Sequence, residues 1–391
     1  AFSPKNDSKH LSANHDYILV FAKNIDHFIL HKLGRTEETD AKYTNQDNDP
    51  RGLWTSGDLS VKTYSSKYDY PIATPSGRIV VPPHGACWRI SKERLADLIK
   101  DNRIWFGKEG NNVPRLKRFL SEVSKGIVPV TIWEHKEVGH NQEGRQELKG
   151  LFDDQGYFDG PKPVRLLKRL LEISTENNDL VLDFFAGSGT TAHAVMQLNA
   201  EDDGNRKWIC VQLDEQCDQD SEAYKASYQT IADIARERIR RAGKKIQEEN
   251  KGKTLDVGFK AFRLTKSNFP VWQGTIQDEH DLLEQMGLFA NAKQHDAKPI
   301  DLLYEVILKE GLDINIDVQL KETLSGSYYL VNHGKLAVSF VAQLTPELMD
   351  TIFLEKPEKI ILLESAFIGN DELKMNTLLH AQTLKVDIRV I

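Results

Sequence analysis

The strongest chemical signal in the sequence is a glycine-rich segment at residues 183–191, which reads DFFAGSGTT. Its two glycines, Gly187 and Gly189, let the chain turn sharply and let a ligand approach bare backbone. The segment leads directly into a predicted helix, and the start of a helix offers unpaired N–H groups and a partial positive charge to a carboxylate or phosphate. The segment is therefore predicted to bind a small ligand that carries an anionic group.

The acidic residue before the glycines narrows the class of ligand. Asp183 would repel a pyrophosphate, whereas its carboxylate can accept hydrogen bonds from an ammonium group. A methionine-like zwitterion has an amine for Asp183 and a carboxylate for the start of the helix, and Phe184 or Phe185 offers an apolar wall. Glu215, after the next predicted strand, is suited to a ribose diol, which nicotinamide and adenosylmethionine cofactors share.

Three alternatives stay open at this point. The glycine spacing also satisfies the loose dinucleotide fingerprint, which would indicate a nicotinamide-dependent oxidoreductase. A nucleotide-binding P-loop fits less well because no Lys follows Gly189. The segment could also be a tight turn between a strand and a helix that binds nothing.

The neighbouring segments predict the elements that position this loop. Periodicity predicts an amphipathic helix at 164–174, a buried strand at 180–185, a helix at 190–198 and a strand at 208–213. This order is one half of a doubly wound α/β sheet. A long charged helix is predicted at 221–249. We interpret its basic portion, residues 236–245, as a solvated face, and contact with the phosphate groups of a nucleic acid is the alternative.

The rest of the chain predicts more irregular structure. The apolar run at 17–22 predicts a buried strand, and residues 24–158 predict α+β structure with long loops and a helix at 91–100 capped by Ser91. After a connector at 250–275 we expect a small α/β domain. Its predicted helices and strands are 282–289, 301–310, 327–331, 336–341, 359–363 and 385–391.

Composition and charge limit the class of protein. The 391 residues are 40% hydrophobic and 28% charged, which is typical of a globular protein with two or three domains. The three cysteines are too scattered for a disulfide framework or a zinc site, so we expect a cytoplasmic protein without a metal. Residues 51–150 carry 17 Lys and Arg against 11 Asp and Glu, whereas residues 271–391 carry 10 against 19. This asymmetry indicates that the basic region, residues 51–150, faces a polyanion and that the acidic region, residues 271–391, faces a protein partner.

Several motifs in this order resemble one family. They are PKPVRLLKRLL at 161–171, DFFAGSGTTAHAVMQLN at 183–199 and WICVQLDE at 208–215, with weaker similarities at 12–24, 103–122, 126–133 and 256–272. Together they resemble the β-group of amino-methyltransferases, and within it the modification (Mod) subunits of type III restriction–modification systems. The resemblance covers about two-thirds of the chain, from near the amino terminus to about residue 272.

The resemblance implies a function and a domain plan. It implies methyl transfer from S-adenosylmethionine to adenine N6 in double-stranded DNA, by a subunit that is expected to form a homodimer and to bind a restriction ATPase/nuclease subunit. The fold would be a doubly wound Rossmann-like sheet (1–29 and 151–255) with an inserted α+β target-recognition region (30–150) and a small C-terminal α/β domain (256–391). The residues implied to hold the cofactor are Lys162, Pro163, Asp183, Phe184, Phe185, Gly187, Ser188, Gly189, Thr190, Thr191 and Glu215.

No catalytic residue is assigned. The family places an Asp-Pro-Pro-Tyr loop before the segment at 16–18, and the Pro-Pro pair at 82–83 has Val81 in place of the acid and His84 in place of the aromatic residue. We expect the loop to lie upstream in a longer protein. A cytosine-N4 enzyme and a non-catalytic DNA-binding module that retains the cofactor pocket remain alternatives.

The basic region contains the candidate DNA contacts. Basic side chains there suit phosphate and base-edge contacts, whereas Trp88 and Trp105 are interpreted as core residues. The candidates are Arg89, Arg103, Lys108, Arg115, Lys117 and Arg118.

Overall fold

The computed structural model describes residues 9–12, 14–269 and 297–391. They belong to two compact units, Ala1–Gly258 and Phe259–Ile391. The helix predicted at 282–289 and the end of the motif at 256–272 lie outside the described residues. Among the helices that are described, none has the length and apolar character needed to cross a bilayer.

The first part of the first unit consists of short strands and helices joined by long turns. Three of these strands, Trp54–Asp58, Arg115–Phe119 and Ile104–Trp105, form an antiparallel sheet in that order. In chain order the elements are β1 (Leu33–Gly34), α1 (Glu37–Asp40), β2 (Trp54–Asp58), β3 (Ser60–Val61), β4 (Ile72–Ala73), β5 (Ile79–Val80), β6 (Cys87–Trp88), α2 (Lys92–Lys100), β7 (Ile104–Trp105), β8 (Arg115–Phe119), β9 (Gly126–Ile127), α3 (His135–Val138) and α4 (Asn141–Leu151).

Local sequence signals explain two features of this part. Ser91 caps α2 as predicted, because its side chain accepts a hydrogen bond from the backbone N–H of Arg94. Trp88 is fully buried in an apolar cluster, and its indole N–H donates to the carbonyl of Tyr70 at 2.7 Å. The interpretation of Trp88 as a core residue is therefore confirmed.

The second part of the first unit contains the predicted helix–strand–loop–helix–strand order. Its two strands pair in parallel from Leu180↔Lys207 to Asp183↔Cys210. The helices on either side of the first of these strands pack together through an apolar cluster that includes Leu171 and Val195. The elements are α5 (Val164–Ser174), β10 (Leu180–Asp183), α6 (Thr190–Asp202), β11 (Lys207–Cys210), α7 (Glu222–Lys225) and α8 (Ile231–Glu249).

Three predictions about the secondary-structure elements of this unit are wrong. Residues 17–22 form no strand, and Tyr17 and Phe21 are 82% and 88% exposed. Strand β10 is only half-buried, because alternation along a strand turns Leu180 and Leu182 away from the face that packs against the helices. The helix predicted at 221–249 is two helices, since Ser227 adopts a left-handed φ of 72° and a new capping box begins α8.

The second unit is a mixed α/β unit around one five-stranded sheet. The five strands lie in the sheet in the order in which they follow along the chain, and the first two pairs are antiparallel and the last two parallel. Its helices contribute to a large apolar core. The elements are α9 (Pro299–Lys309), β12 (Val318–Thr323), β13 (Gly326–Val331), β14 (Leu336–Ser339), α10 (Pro346–Leu354), β15 (Lys359–Leu362), α11 (Asp371–Leu384) and β16 (Asp387–Val390).

Candidate functional site

The glycine loop leaves the carboxyl end of β10 and enters α6, and hydrogen bonds hold it at both ends. The carboxylate of Asp183 accepts from the backbone N–H of Phe185 at 3.0 Å and from the hydroxyl of Thr191 at 2.5 Å. The backbone N–H of Gly187 donates to the side-chain carbonyl of Gln212, beyond β11, at 2.7 Å. Asp183 and Gln212 thus fix the loop, and no motif in the sequence indicated the role of Gln212.

Both glycines of the loop adopt left-handed backbone conformations. Their φ angles are 52° at Gly187 and 78° at Gly189. A Cβ atom on Gly189 would lie 3.2 Å from the side chain of Ile239 and 3.3 Å from the carbonyl oxygen of Ala235, both on α8. The loop is therefore a bare-backbone cradle held closely against α8, which fits a ligand that approaches the main chain.

A buried arginine lies beneath this loop. Arg238 on α8 is fully buried and donates from Nη1 to the hydroxyls of Ser188 at 2.8 Å and Thr190 at 2.6 Å. Burial lowers the pKa of Arg238 to about 10, so the guanidinium remains charged at neutral pH. Burial also lowers the pKa of the neighbouring His193 on α6 to about 3.

The interpretation of residues 236–245 as a solvated face is thus wrong for Arg238. The apolar stripe of α8 includes Ile234 and Ala242, and Arg238 lies four residues from each. Side chains four residues apart share one face of a helix. This spacing was the signal that could have identified Arg238 from the sequence.

The segment at 162–163 forms the start of α5. Pro163 is the buried residue before the helix, and Lys162 is half-exposed with Nζ 3.7 Å from the carboxylate of Asp16. The carboxylate of Glu147 accepts from the backbone N–H of Val164 at 2.9 Å, and burial raises the pKa of Glu147. Lys162 therefore contacts Asp16 and Pro163 shapes the helix start.

The remaining predicted cofactor residues are exposed. Phe184 and Phe185 are 60% and 81% exposed, with ring centroids 5.2 Å apart. The side chain of Glu215 is exposed, and its backbone carbonyl accepts from the N–H of Ile231 at the start of α8 at 3.0 Å. These side chains are accessible to a ligand.

Five of the six candidate DNA contacts differ in their exposure and in their ion pairs. Arg89, Lys108 and Arg118 are exposed. Arg115 pairs with Asp58 at 2.9 Å. The guanidinium of Arg103 donates to both carboxylate oxygens of Glu122, at 2.8 and 2.6 Å, and to Asp101, which raises the pKa of Arg103.

Lys117, the sixth candidate DNA contact, does not lie on the protein surface. Its side chain is fully buried, pairs with Asp47 and with Asp49 at 3.2 Å, and lies over the ring of Trp54. Side chains alternate across a strand, and Lys117 points to the side of β8 opposite that of Arg118. A buried ion pair holds the ammonium group away from any phosphate, so we remove Lys117 from the candidate DNA contacts.

A polar cavity of about 520 Å³ lies away from the glycine loop, beside the amino end of β10. Asp179 and Arg206 line it, and no predicted site residue does. Ligands in open α/β sheets bind outside the carboxyl ends of the strands. Sheet polarity therefore favours the glycine loop over this cavity as the functional site.

Comparison with known proteins supports the resemblance. The chain is 37% identical over 289 residues to the type III restriction–modification enzyme StyLTI Mod subunit of Salmonella typhimurium, covering 73% of this chain and 42% of that protein. It is 31% identical over 285 residues to the EcoPI Mod subunit of Escherichia phage P1, covering 65% and 43%. It is 24% identical, over an alignment 441 residues long, to the EcoP15I Mod subunit of Escherichia coli, and the alignment covers 98% of this chain and 63% of that protein.

The predicted resemblance to type III Mod subunits is therefore confirmed, and the chain spans 42–63% of the length of these relatives. The family model described as DNA methylase matches residues 1–225, which is more than half of the 391 residues. On this ground the chain belongs to the DNA methylase family.

Proposed function

We propose that this chain belongs to the modification subunit of a type III restriction–modification system and transfers a methyl group from S-adenosylmethionine to adenine N6 in duplex DNA. The observation that carries the proposal is the glycine loop at the carboxyl end of β10, where Asp183 precedes the start of α6. Strands β10 and β11 with α6 are then one half of a Rossmann-like sheet. When bound, S-adenosylmethionine supplies an electrophilic methyl group on its sulfonium.

The chain's own residues would bind and orient this cofactor. Asp183 uses its carboxylate in two hydrogen bonds within the loop, and a carboxylate has about four acceptor positions, so it retains capacity for the ammonium group. The first turn of α6 suits the carboxylate. The exposed ring of Phe185 offers an apolar surface, Glu215 suits the ribose diol, and Lys162 lies at the methionine end.

The DNA surface belongs to the region at 30–150. We propose that Arg89, Lys108, Arg115 and Arg118 contact phosphate or base edges, since their side chains are exposed. Arg103 is left out of this set because its guanidinium already donates to Asp101 and Glu122. Charged contacts of this kind make binding strongly dependent on salt. The acidic second unit would bind a restriction subunit, and the protein would act as a cytoplasmic dimer.

Isothermal titration calorimetry on the full-length protein tests the cofactor assignment. We expect saturable binding of S-adenosylmethionine and none of NAD, and weaker S-adenosylmethionine binding in Asp183→Asn. The control is Asp203→Asn at the opposite end of α6, where Asp203 is exposed and pairs with Lys253. Binding of NAD alone, or equal affinities in Asp183→Asn and the native protein, would contradict the proposal.

A transfer assay tests the target base. The protein is incubated with duplex DNA and cofactor that carries a tritiated methyl group, and the DNA is digested to nucleosides. We expect the label in N6-methyl-2′-deoxyadenosine. Label in N4-methyl-2′-deoxycytidine would overturn the adenine assignment, and unlabelled DNA would favour a non-catalytic module.

A further inference from the structure

Arg238 is bound to the glycine loop through one of its three nitrogens. Nη1 donates to the hydroxyls of Ser188 and Thr190, which are themselves 2% and 6% exposed. Nε and Nη2 are buried without a hydrogen-bond partner among the described residues. Leaving buried donors unpaired is costly, so this arrangement needs an explanation beyond packing.

The direction of these hydrogen bonds determines what the two hydroxyls can do. A guanidinium only donates, so the oxygens of Ser188 and Thr190 both act as acceptors. Each hydroxyl retains its own hydrogen to donate elsewhere. Because the two residues flank Gly189, the residue that caps α6, these hydrogens add to the N–H donors of the first turn.

The charge of Arg238 has no ion-pair partner in the described part of the chain. Glu147 is the acidic residue whose charge acts on Arg238, but its carboxylate binds the start of α5. Burial raises the pKa of Glu147, while the charge of Arg238 acts to lower it. A positive charge therefore lies buried behind the start of α6, where the helix dipole is also positive.

We propose that Arg238 is a positioning residue that makes the glycine loop selective for ligands with an amino-acid carboxylate. It orients the hydroxyls of Ser188 and Thr190 as donors and adds positive charge behind the first turn of α6. The inference rests on the proposed function, in which this loop holds the methionine end of S-adenosylmethionine. A ligand with the adenosine part alone gains nothing from Arg238.

A pair of ligands separates this role from a purely structural one. S-adenosylhomocysteine carries the carboxylate, whereas 5′-methylthioadenosine has the adenosine and sulfur without the amino acid. The dissociation constants of both are measured by calorimetry on the full-length protein and its variants. The variants are Arg238→Met, Arg238→Lys and the control Arg240→Met, where Arg240 is 59% exposed on the same helix.

The expected result is selective loss. Arg238→Met should weaken S-adenosylhomocysteine roughly 10- to 100-fold, the size of a hydrogen bond to a charged group, and leave 5′-methylthioadenosine nearly unchanged. Arg238→Lys keeps the charge with different donor geometry and should show a smaller loss with the same selectivity. Arg240→Met should leave both affinities unchanged.

The contrary outcomes are distinct. An equal loss for both ligands would mean that Arg238 only maintains the shape of the loop, and the inference would be overturned. Unchanged affinity for S-adenosylhomocysteine would overturn it as well. If Arg238→Met does not fold, Arg238→Lys decides between the same outcomes. If the native protein binds neither ligand, the proposed function itself fails.

Discussion

Replacing Gly189 by alanine should destabilise the first unit by more than the backbone strain alone. The left-handed φ of 78° costs a non-glycine residue about 1–2 kcal/mol. The new Cβ would also lie 3.2 Å from Ile239 and 3.3 Å from the carbonyl oxygen of Ala235. Crowding of this kind typically costs about 1–3 kcal/mol, so the free energy of unfolding should fall by about 2–5 kcal/mol in total.

A matched glycine separates the two costs. Gly160 has a similar φ of 70°, and a Cβ there would meet no atom within 4 Å. Gly160→Ala should therefore cost only the backbone strain of about 1–2 kcal/mol. The double variant Gly189→Ala/Ile239→Ala should lose less stability than the sum of its single variants, because truncating Ile239 removes part of the crowding.

Urea unfolding followed by tryptophan fluorescence measures these changes, since five of the six tryptophans lie in residues 1–258. The same variants are titrated with S-adenosylhomocysteine, and Gly189→Ala should bind it more weakly than Gly160→Ala does. Equal unfolding free energies for the two alanine variants would refute the reasoning, because the loop could not then be held closely against α8.

Three further predictions concern buried groups. Gly144→Ala would place a Cβ 2.4 Å from a backbone oxygen of the 161–163 segment, and this crowding should lower the free energy of unfolding by about 1–3 kcal/mol. A Cβ at Gly150 on the same helix would meet no atom within 4 Å, so Gly150→Ala should raise the free energy of unfolding by about 0.4–1 kcal/mol. Equal urea midpoints for the two variants would contradict this prediction. Lys117→Met should lower the free energy of unfolding by about 3 kcal/mol and leave the dependence of DNA affinity on salt concentration unchanged. Arg118→Ala should reduce the slope of log affinity against log salt concentration by about one. A reduced slope in Lys117→Met and an unchanged slope in Arg118→Ala would return Lys117 to the candidate DNA contacts. Burial lowers the pKa of His193 from 6.5 to about 3. Between these two pH values the unfolded chain binds a proton that the folded chain does not, so the free energy of unfolding falls with falling pH by up to about 1.4 kcal/mol per pH unit. His193→Leu should lose this pH dependence of stability, and a variant that retains it would show that His193 is not its source.

The parts of the fold that depend on local signals could be predicted from the sequence. Helix α5 has the predicted bounds, because leucine periodicity and the preceding proline are both local. The glycine loop lies between a strand and a helix as expected, because glycines in left-handed conformations mark the turn. The hydrogen bonds of Asp183 within the loop are local as well, whereas the ligand inferred from Asp183 and the helix start stays a prediction.

The parts that depend on distant residues could not be predicted. The apolar run at 17–22 has the composition of a strand, but a strand also needs a neighbour, and composition carries no information about one. In β8 the sequence RLKRF puts basic residues on both faces, so alternation alone could not separate buried Lys117 from exposed Arg118. The acids that hold Lys117 are about 70 residues away in the sequence.

Arg238 lies between these two cases. Its position is local information, because the buried residues of α8 recur every three or four positions and Arg238 falls on that stripe. Its purpose is not local, since the hydroxyls it binds lie 50 and 48 residues earlier. An apolar side chain of similar volume would fill the position without a desolvation penalty. A buried guanidinium on an apolar stripe therefore lowers the stability of the fold unless a neighbouring group interacts with its charge. For Arg238 that neighbouring group is the glycine loop.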